Sequence, residues 1–192
     1  MKKLFSLLCI FINLITYSQN EINWDGKYNL QLSDFKSAST QIGGVQINNI
    51  MMPIGFEFSI MMSNVEFMFT KNFNSKVGNS FNREAASIIA VDEATAKYLV
   101  NFAQYGFDLT ELYARKLRKK IYDDKKTLSN VSFLKPIYDD FQRELNEKLA
   151  NASKETDLGK SQNKLATLHQ QVMLDIAELS DFCKECKPLK KK

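Results

Sequence analysis

The sequence predicts an α+β fold, a short antiparallel sheet followed by packed helices. Three observations carry this. Residues 43–71 hold short runs of branched and aromatic residues that alternate with polar ones. From Asp92 onward the apolar period changes to that of a helix. Two further helical stripes follow, the first opening near Pro136 and the second near Asn163.

The first eighteen residues are read apart from the fold. "MKK" is a short basic start, "LFSLLCIFINLI" is an apolar run, and "TYS" places Thr16 and Ser18 where a signal peptidase reads. The apolar run is shorter than the roughly 20 residues a helix needs to span a bilayer. The expectation is a signal peptide over 1–18, a single domain over 19–182, and a CxxC with a basic tail over 183–192. The exported chain would lie in the periplasm or outside the cell, with no transmembrane segment. It is large enough for a core of its own. The formal net charge of +4 includes Lys2 and Lys3 of the leader and the tail "KPLKKK". The body is therefore close to neutral, and a nucleic-acid partner is not implied.

In "INWDGKYNLQLSDF", Trp24, Tyr28, Leu30 and Leu32 can anchor a strand, and "LSDF" reads as a turn capped by Asp34 or Ser33. Strands are expected near 43–49, 55–61 and 64–71, with Ser63 and Asn64 as a tight connection. "NSKVGNSFNRE" is expected to be a loop. The segment beginning at Asp92 carries Thr95 and apolar residues at 99, 102, 109, 113, 117 and 121, with Gly106 completing the spacing. That stripe runs for about seven turns of helix. "IYDDFQRELNEKLANA" is the second helix, "SKETDLGKSQ" a polar loop, and "NKLATLHQQVMLDIAELSDF" the third helix, with Leu165, Leu168, Val172, Ile176 and Leu179 on its stripe.

At "FDLTELYARKLRKKI" the chain resembles the bacterial predicted secreted zinc-dependent proteases, a family also catalogued under a domain of unknown function. In that family an HExxH motif is followed at once by a segment much like Phe107–Arg118. Members begin with a W…L…W-x-D-F segment, here "INWDGKYNLQLSDF", with Leu32 where the second Trp would stand. Further on they carry a segment like E-T-x-H-G, here "ETDLG", Glu155 to Gly159. The resemblance implies a zincin-like arrangement. It also implies that every ligand position has changed. The first histidine falls on Phe102, the glutamate on Ala103, the second histidine on Gly106 and the histidine of E-T-x-H-G on Leu158. HExxH works because two histidines one turn apart hold zinc and the glutamate activates a water. Phe, Ala, Gly and Leu can do neither.

Other chemistry has little to build on. The chain has one histidine, His169, expected beside Leu168 on the third helix, at a boundary, and satisfied by water or a neighbour. The carboxylate pairs Asp123–Asp124 and Asp139–Asp140 point apart on a helix and read as solvated faces. Cys183 and Cys186 are expected to form a local disulfide in an oxidising compartment, with free thiols as the alternative. Nothing around them suggests redox or metal work. No G-x-S-x-G elbow or phosphate loop is present. Glu111 and Arg115 lie at i and i+4 and read as a brace for a neighbouring loop. Asp108 can add a charge one turn earlier, and Tyr113 and Leu117 supply the apolar anchor.

The expected function is therefore that of a non-catalytic exported protein with a degenerate metalloprotease-like fold. No catalytic residue, metal ligand or cofactor is assigned. The expected partner is a peptide or a cell-envelope protein, held on an apolar cleft floor at Phe102 and Leu158. A hydrolase with an unrecognised non-zinc site and a purely structural envelope protein are the alternatives.

Overall fold

The structure is a computed structural model in which residues 20–58, 62–125 and 131–188 are described; the expected signal peptide and the lysines at the end of the tail lie outside them. Six short strands form two three-stranded sheets: β1 (Glu21–Asn23), β2 (Gln41–Ile42), β3 (Asn49–Met51), β4 (Ile54–Phe58), β5 (Val77–Asn82) and β6 (Ser87–Ala90). One sheet has the order β1-β5-β4 and is antiparallel throughout. The other has the order β2-β6-β3, with β2 parallel and β3 antiparallel to β6. The helices are α1 (Asn64–Phe69), α2 (Glu93–Asp124), α3 (Leu134–Thr156) and α4 (Gln162–Glu178). A mixed α+β fold with small sheets and packed helices is thus present.

Several expectations are corrected. The strand expected over 64–71 is helix α1. Ser63 Oγ accepts the Glu66 N–H, an N-cap that a strand reading of the alternating Val65, Phe67 and Phe69 overlooked. Only Phe67 of the three is buried. The expected loop "NSKVGNSFNRE" contains β5, the centre of its sheet. Its asparagines and glycine disguised it, yet Asn79 is buried and donates to the Phe107 carbonyl at 3.0 Å. The strand expected over 43–49 is replaced by β2 and β3. Gly43 and Gly44 between them have φ of 80° and 69°, a left-handed conformation that strand pairing excludes. The strand expected over 55–61 is β4, which ends at Phe58; residues 59–61 lie outside the described residues. The opening strand is β1, ahead of Tyr28–Leu32. "LSDF" does turn, and Asp34 caps it by accepting the Gln31 N–H at 2.8 Å.

Helix α2 organises the rest. Asp92 caps it, its carboxylate accepting the Thr95 N–H at 2.7 Å, and that bond holds the Asp92 carboxyl below its ordinary range. At 32 residues the helix is about 48 Å long. It is buried on two sides. Phe102, Tyr105, Leu109, Leu112, Tyr113 and Leu117 join Phe56, Val77 and the inner faces of α3 and α4. Leu99, Val100, Ala103 and Phe107 join Leu30, Phe35, Phe81 and Ile88 in a second cluster. A helix with clusters on both flanks must carry more apolar residues than a surface helix, which explains its unusually regular pattern. Helix α3 runs four residues past its expected end, to Thr156. It closes with Asp157 and Leu158 in the left-handed region, at φ 50° and 51°, followed by Gly159 at 90°.

Candidate functional site

Each position that the resemblance assigns to a zinc ligand is occupied by packing. Phe102 is 2% exposed, and Ala103 is fully buried in the opposite cluster. A Cβ at Gly106 would lie 3.3 Å from both Ile54 Cδ1 and Leu149 Cδ2, so strand β4 and helix α3 close over that spot. The Leu158 turn comes to the same region. A Cβ at Gly159 would lie 2.7 Å from the Tyr98 carbonyl oxygen and 3.0 Å from Phe102 Cβ, and Leu158 itself packs against both clusters. The expected apolar cleft floor at Phe102 and Leu158 is therefore filled core. Among the described residues no group of three or more histidine, cysteine, aspartate or glutamate side chains is placed to hold a metal ion. Asp123, Asp124, Asp139 and Asp140 pair with Lys119, Lys120, Lys135 and Arg143 on their own helices.

The polar centre lies one turn further on. Asp108 is 4% exposed, and its carboxylate is held from three directions. Trp24 Nε1 donates to Oδ1 at 2.6 Å, Gln104 Nε2 donates to Oδ2 at 2.8 Å, and His169 Nε2 lies 2.7 Å from Oδ2. His169 Nε2 thus faces the carboxylate, and Nδ1 is the remaining ring nitrogen. The imidazole and the Tyr105 ring meet nearly at right angles, with centroids 6.3 Å apart. Gln104 also accepts the Leu30 N–H through Oε1 at 2.7 Å, which ties the N-terminal segment to the same group.

His169 lines a cleft of about 320 Å³ together with Asn29, Leu30, Asn101, Gln104 and Gln162. A second cleft of about 650 Å³ shares Leu30 and Asn101 and continues past Ile42 and Val100, with Glu93 and Lys97 at its edge. The two form a groove along the N-terminal half of α2. Asn101 neighbours Phe102 in sequence but lies about 100° around the helix from it. That rotation explains why the open surface is beside the expected one. Most amides in the groove are already used: Asn101 Nδ2 donates to Gln162 Oε1 at 2.9 Å, and Gln162 Nε2 donates to the Gly159 carbonyl.

Glu111 and Arg115 form the expected brace, with a partner the sequence reading missed. Glu111 Oε1 accepts from Arg115 Nε at 3.0 Å and from Arg118 Nη1 at 2.8 Å, and all three residues are buried. Arg115 Nη1 donates to the Ile176 carbonyl at the end of α4. Arg118 donates to the Phe182 and Val77 carbonyls. These guanidinium groups tie α2 to the end of α4, to the Phe182 turn and to the first residue of β5. Burial pushes Arg118 below its ordinary pKa, with Glu111 opposing that shift. Arg115 also lies over the Trp24 ring, 5.3 Å from its centroid, linking this brace to the Asp108 centre. The spacing of three residues from Arg115 to Arg118 was the available signal for the second arginine.

Cys183 and Cys186 are disulfide-bonded, as expected, so among the described residues no cysteine carries a free thiol. The CxxC segment belongs to the fold, because Asn72 and Asn74 both donate to the Cys186 carbonyl, at 3.0 and 2.9 Å. No helix of the described residues is long and apolar enough to cross a membrane. No protein-family model, curated protein or solved structure matches the chain.

Proposed function

We propose that this chain is a non-catalytic exported protein with a degenerate metalloprotease-like fold, and that it binds a peptide or a cell-envelope protein in the groove between residues 29–42 and α2. The observation that supports loss of metal chemistry is the packing at Phe102, Ala103 and Gly106, where side chains from β4, α3 and the Leu158 turn fill the ground a metal would need. The groove has the mixed character of a peptide site. Leu30, Ile42 and Val100 offer apolar contact, and Asn29, Asn101 and His169 offer polar contact. Titration of the ¹⁵N-labelled chain with a degenerate hexapeptide pool tests it. Amide shifts confined to Leu30, Asn101, Gln104 and His169 are expected. Shifts centred on Phe102 and Leu158, or none, contradict the reading.

A second reading, a hydrolase with a non-zinc site, has one observation in its favour: the buried Asp108 orients the His169 imidazole at the cleft, as a carboxylate orients a general base. Among the described residues no Ser, Thr or Cys side chain lines that cleft, so the base would act on water. Incubation with a fluorogenic peptide mixture separates the readings. The non-catalytic reading expects no cleavage; cleavage lost in His169→Ala favours the hydrolase.

A further inference from the structure

We propose that Val65, Met68 and Phe69 of α1, with Lys71 and Lys125 beside them, form a docking surface for an anionic phospholipid bilayer. Helix α1 buries Phe67 and exposes its other large apolar side chains: Val65 is 64% exposed, Phe69 78% and Met68 38%. Val65 and Phe69 stand at i and i+4, on one side of the helix. Lys125, at the far end of α2, reaches across beneath them. Its Nζ lies 5.1 Å from the Phe67 ring centroid and 5.8 Å from that of Phe73, and it donates to the Met68 carbonyl at 3.2 Å. Lys71 is close enough for its charge, after burial, to lower the Lys125 pKa. Among the described residues neither lysine has an acidic partner within ion-pair distance. Two adjacent ammonium groups without a counterion are suited to an anion supplied from outside.

The C-terminal segment adds to the same side. Asn72 and Asn74 fix the Cys186 carbonyl, so Lys187 leaves the fold next to α1. The acidic groups nearby are Glu66 on α1, Asp123 and Asp124 at the end of α2, which pair with Lys119 and Lys120, Asp181, whose carbonyl accepts from Asn74, and Glu185, whose charge acts on Arg118. Three apolar side chains are too few for a stable protein interface, which takes roughly 800 Å² from each partner. They are enough for a tip that enters the headgroup and acyl boundary while lysines remain at phosphate level. This surface sits at the end of α2 remote from the His169 cleft and does not depend on it.

Co-sedimentation of the chain from Gln19 onward, which holds all described residues and both core clusters, tests the inference. Vesicles of phosphatidylglycerol with phosphatidylethanolamine are compared with pure phosphatidylcholine. Binding to the anionic vesicles alone, weakened by salt, is expected. Val65→Ser with Phe69→Ser should lower it by roughly tenfold or more, as should Lys71→Glu, with circular dichroism unchanged because the altered side chains are exposed. A chain ending at Pro188 should keep most of the binding. Equal binding to phosphatidylcholine, no binding to any vesicle, unaltered binding in the variants, or loss on truncation alone would overturn the proposal.

Discussion

Replacing Phe102 with alanine removes a ring that is 2% exposed and packed against Tyr105, with centroids 6.2 Å apart. The cost of such a deletion in a core is about 3–5 kcal/mol, set by how far the surroundings collapse. Collapse is restricted here. The turn above the ring is pinned, with the Leu158 N–H donating to the Ser153 carbonyl at 2.9 Å and the Gly159 N–H to Thr156 Oγ1 at 3.0 Å. A Cβ at Gly159 would already meet the Tyr98 carbonyl oxygen at 2.7 Å and Phe102 Cβ, which alanine keeps, at 3.0 Å, so the turn has little room to follow the lost ring inward. The upper half of the range, about 4–5 kcal/mol, is therefore expected. With a urea m-value of about 2 kcal/mol/M, the unfolding midpoint should fall by about 2 M. Urea titration followed by circular dichroism reads this directly. A fall of less than about 0.5 M with the m-value unchanged would show that Phe102 lines an open groove, and the packing explanation for α2 would be refuted.

Glu111→Gln leaves the buried Arg115 and Arg118 without their shared countercharge and should cost about 3–5 kcal/mol by thermal or urea unfolding. Cys183→Ser with Cys186→Ser should cost at most about 2 kcal/mol, since so short a loop removes little chain entropy, and a thiol count on the folded wild type should find no free Cys183 or Cys186. Burial pushes the Tyr113 phenol up to about 12, so the folded state favours its neutral form. That contribution is whole below the unfolded value near 10 and is lost as pH rises through about 12, so stability should decline across that window, and less so in Tyr113→Phe. The intact mass of protein recovered from the envelope or medium should correspond to a chain beginning at Gln19; retention of Met1 would contradict export.

The three long helices were legible because burial imposes one period over many turns. The 95–121 stripe is α2, and Leu165, Val172 and Ile176 are the buried residues of α4. The strands were less legible because they are two to six residues long, too short to establish a period. Strand β5 was hidden by Gly78, Asn79 and Ser80, residue types common in loops, although the Asn79 side chain is spent on a helix carbonyl. Helix α1 gave a period of two by coincidence, and its Ser63–Glu66 cap was the contrary signal. The Asp108–His169 contact joins residues 61 apart, and Trp24 joins them from 84 residues away. Nothing local announces such a meeting: Asp108 lies off the 95–121 stripe and reads in the sequence as one more charge beside Glu111.

Whether α2 is a packing element or a metal-binding helix is tested most directly by elemental analysis of zinc in the purified chain after dialysis against trace metal. With Phe102, Gly106 and Leu158 at the positions that the resemblance assigns to zinc ligands, and Ala103 at that of the glutamate, zinc far below one equivalent per chain is expected. Stoichiometric zinc that survives dialysis in the wild type would contradict it.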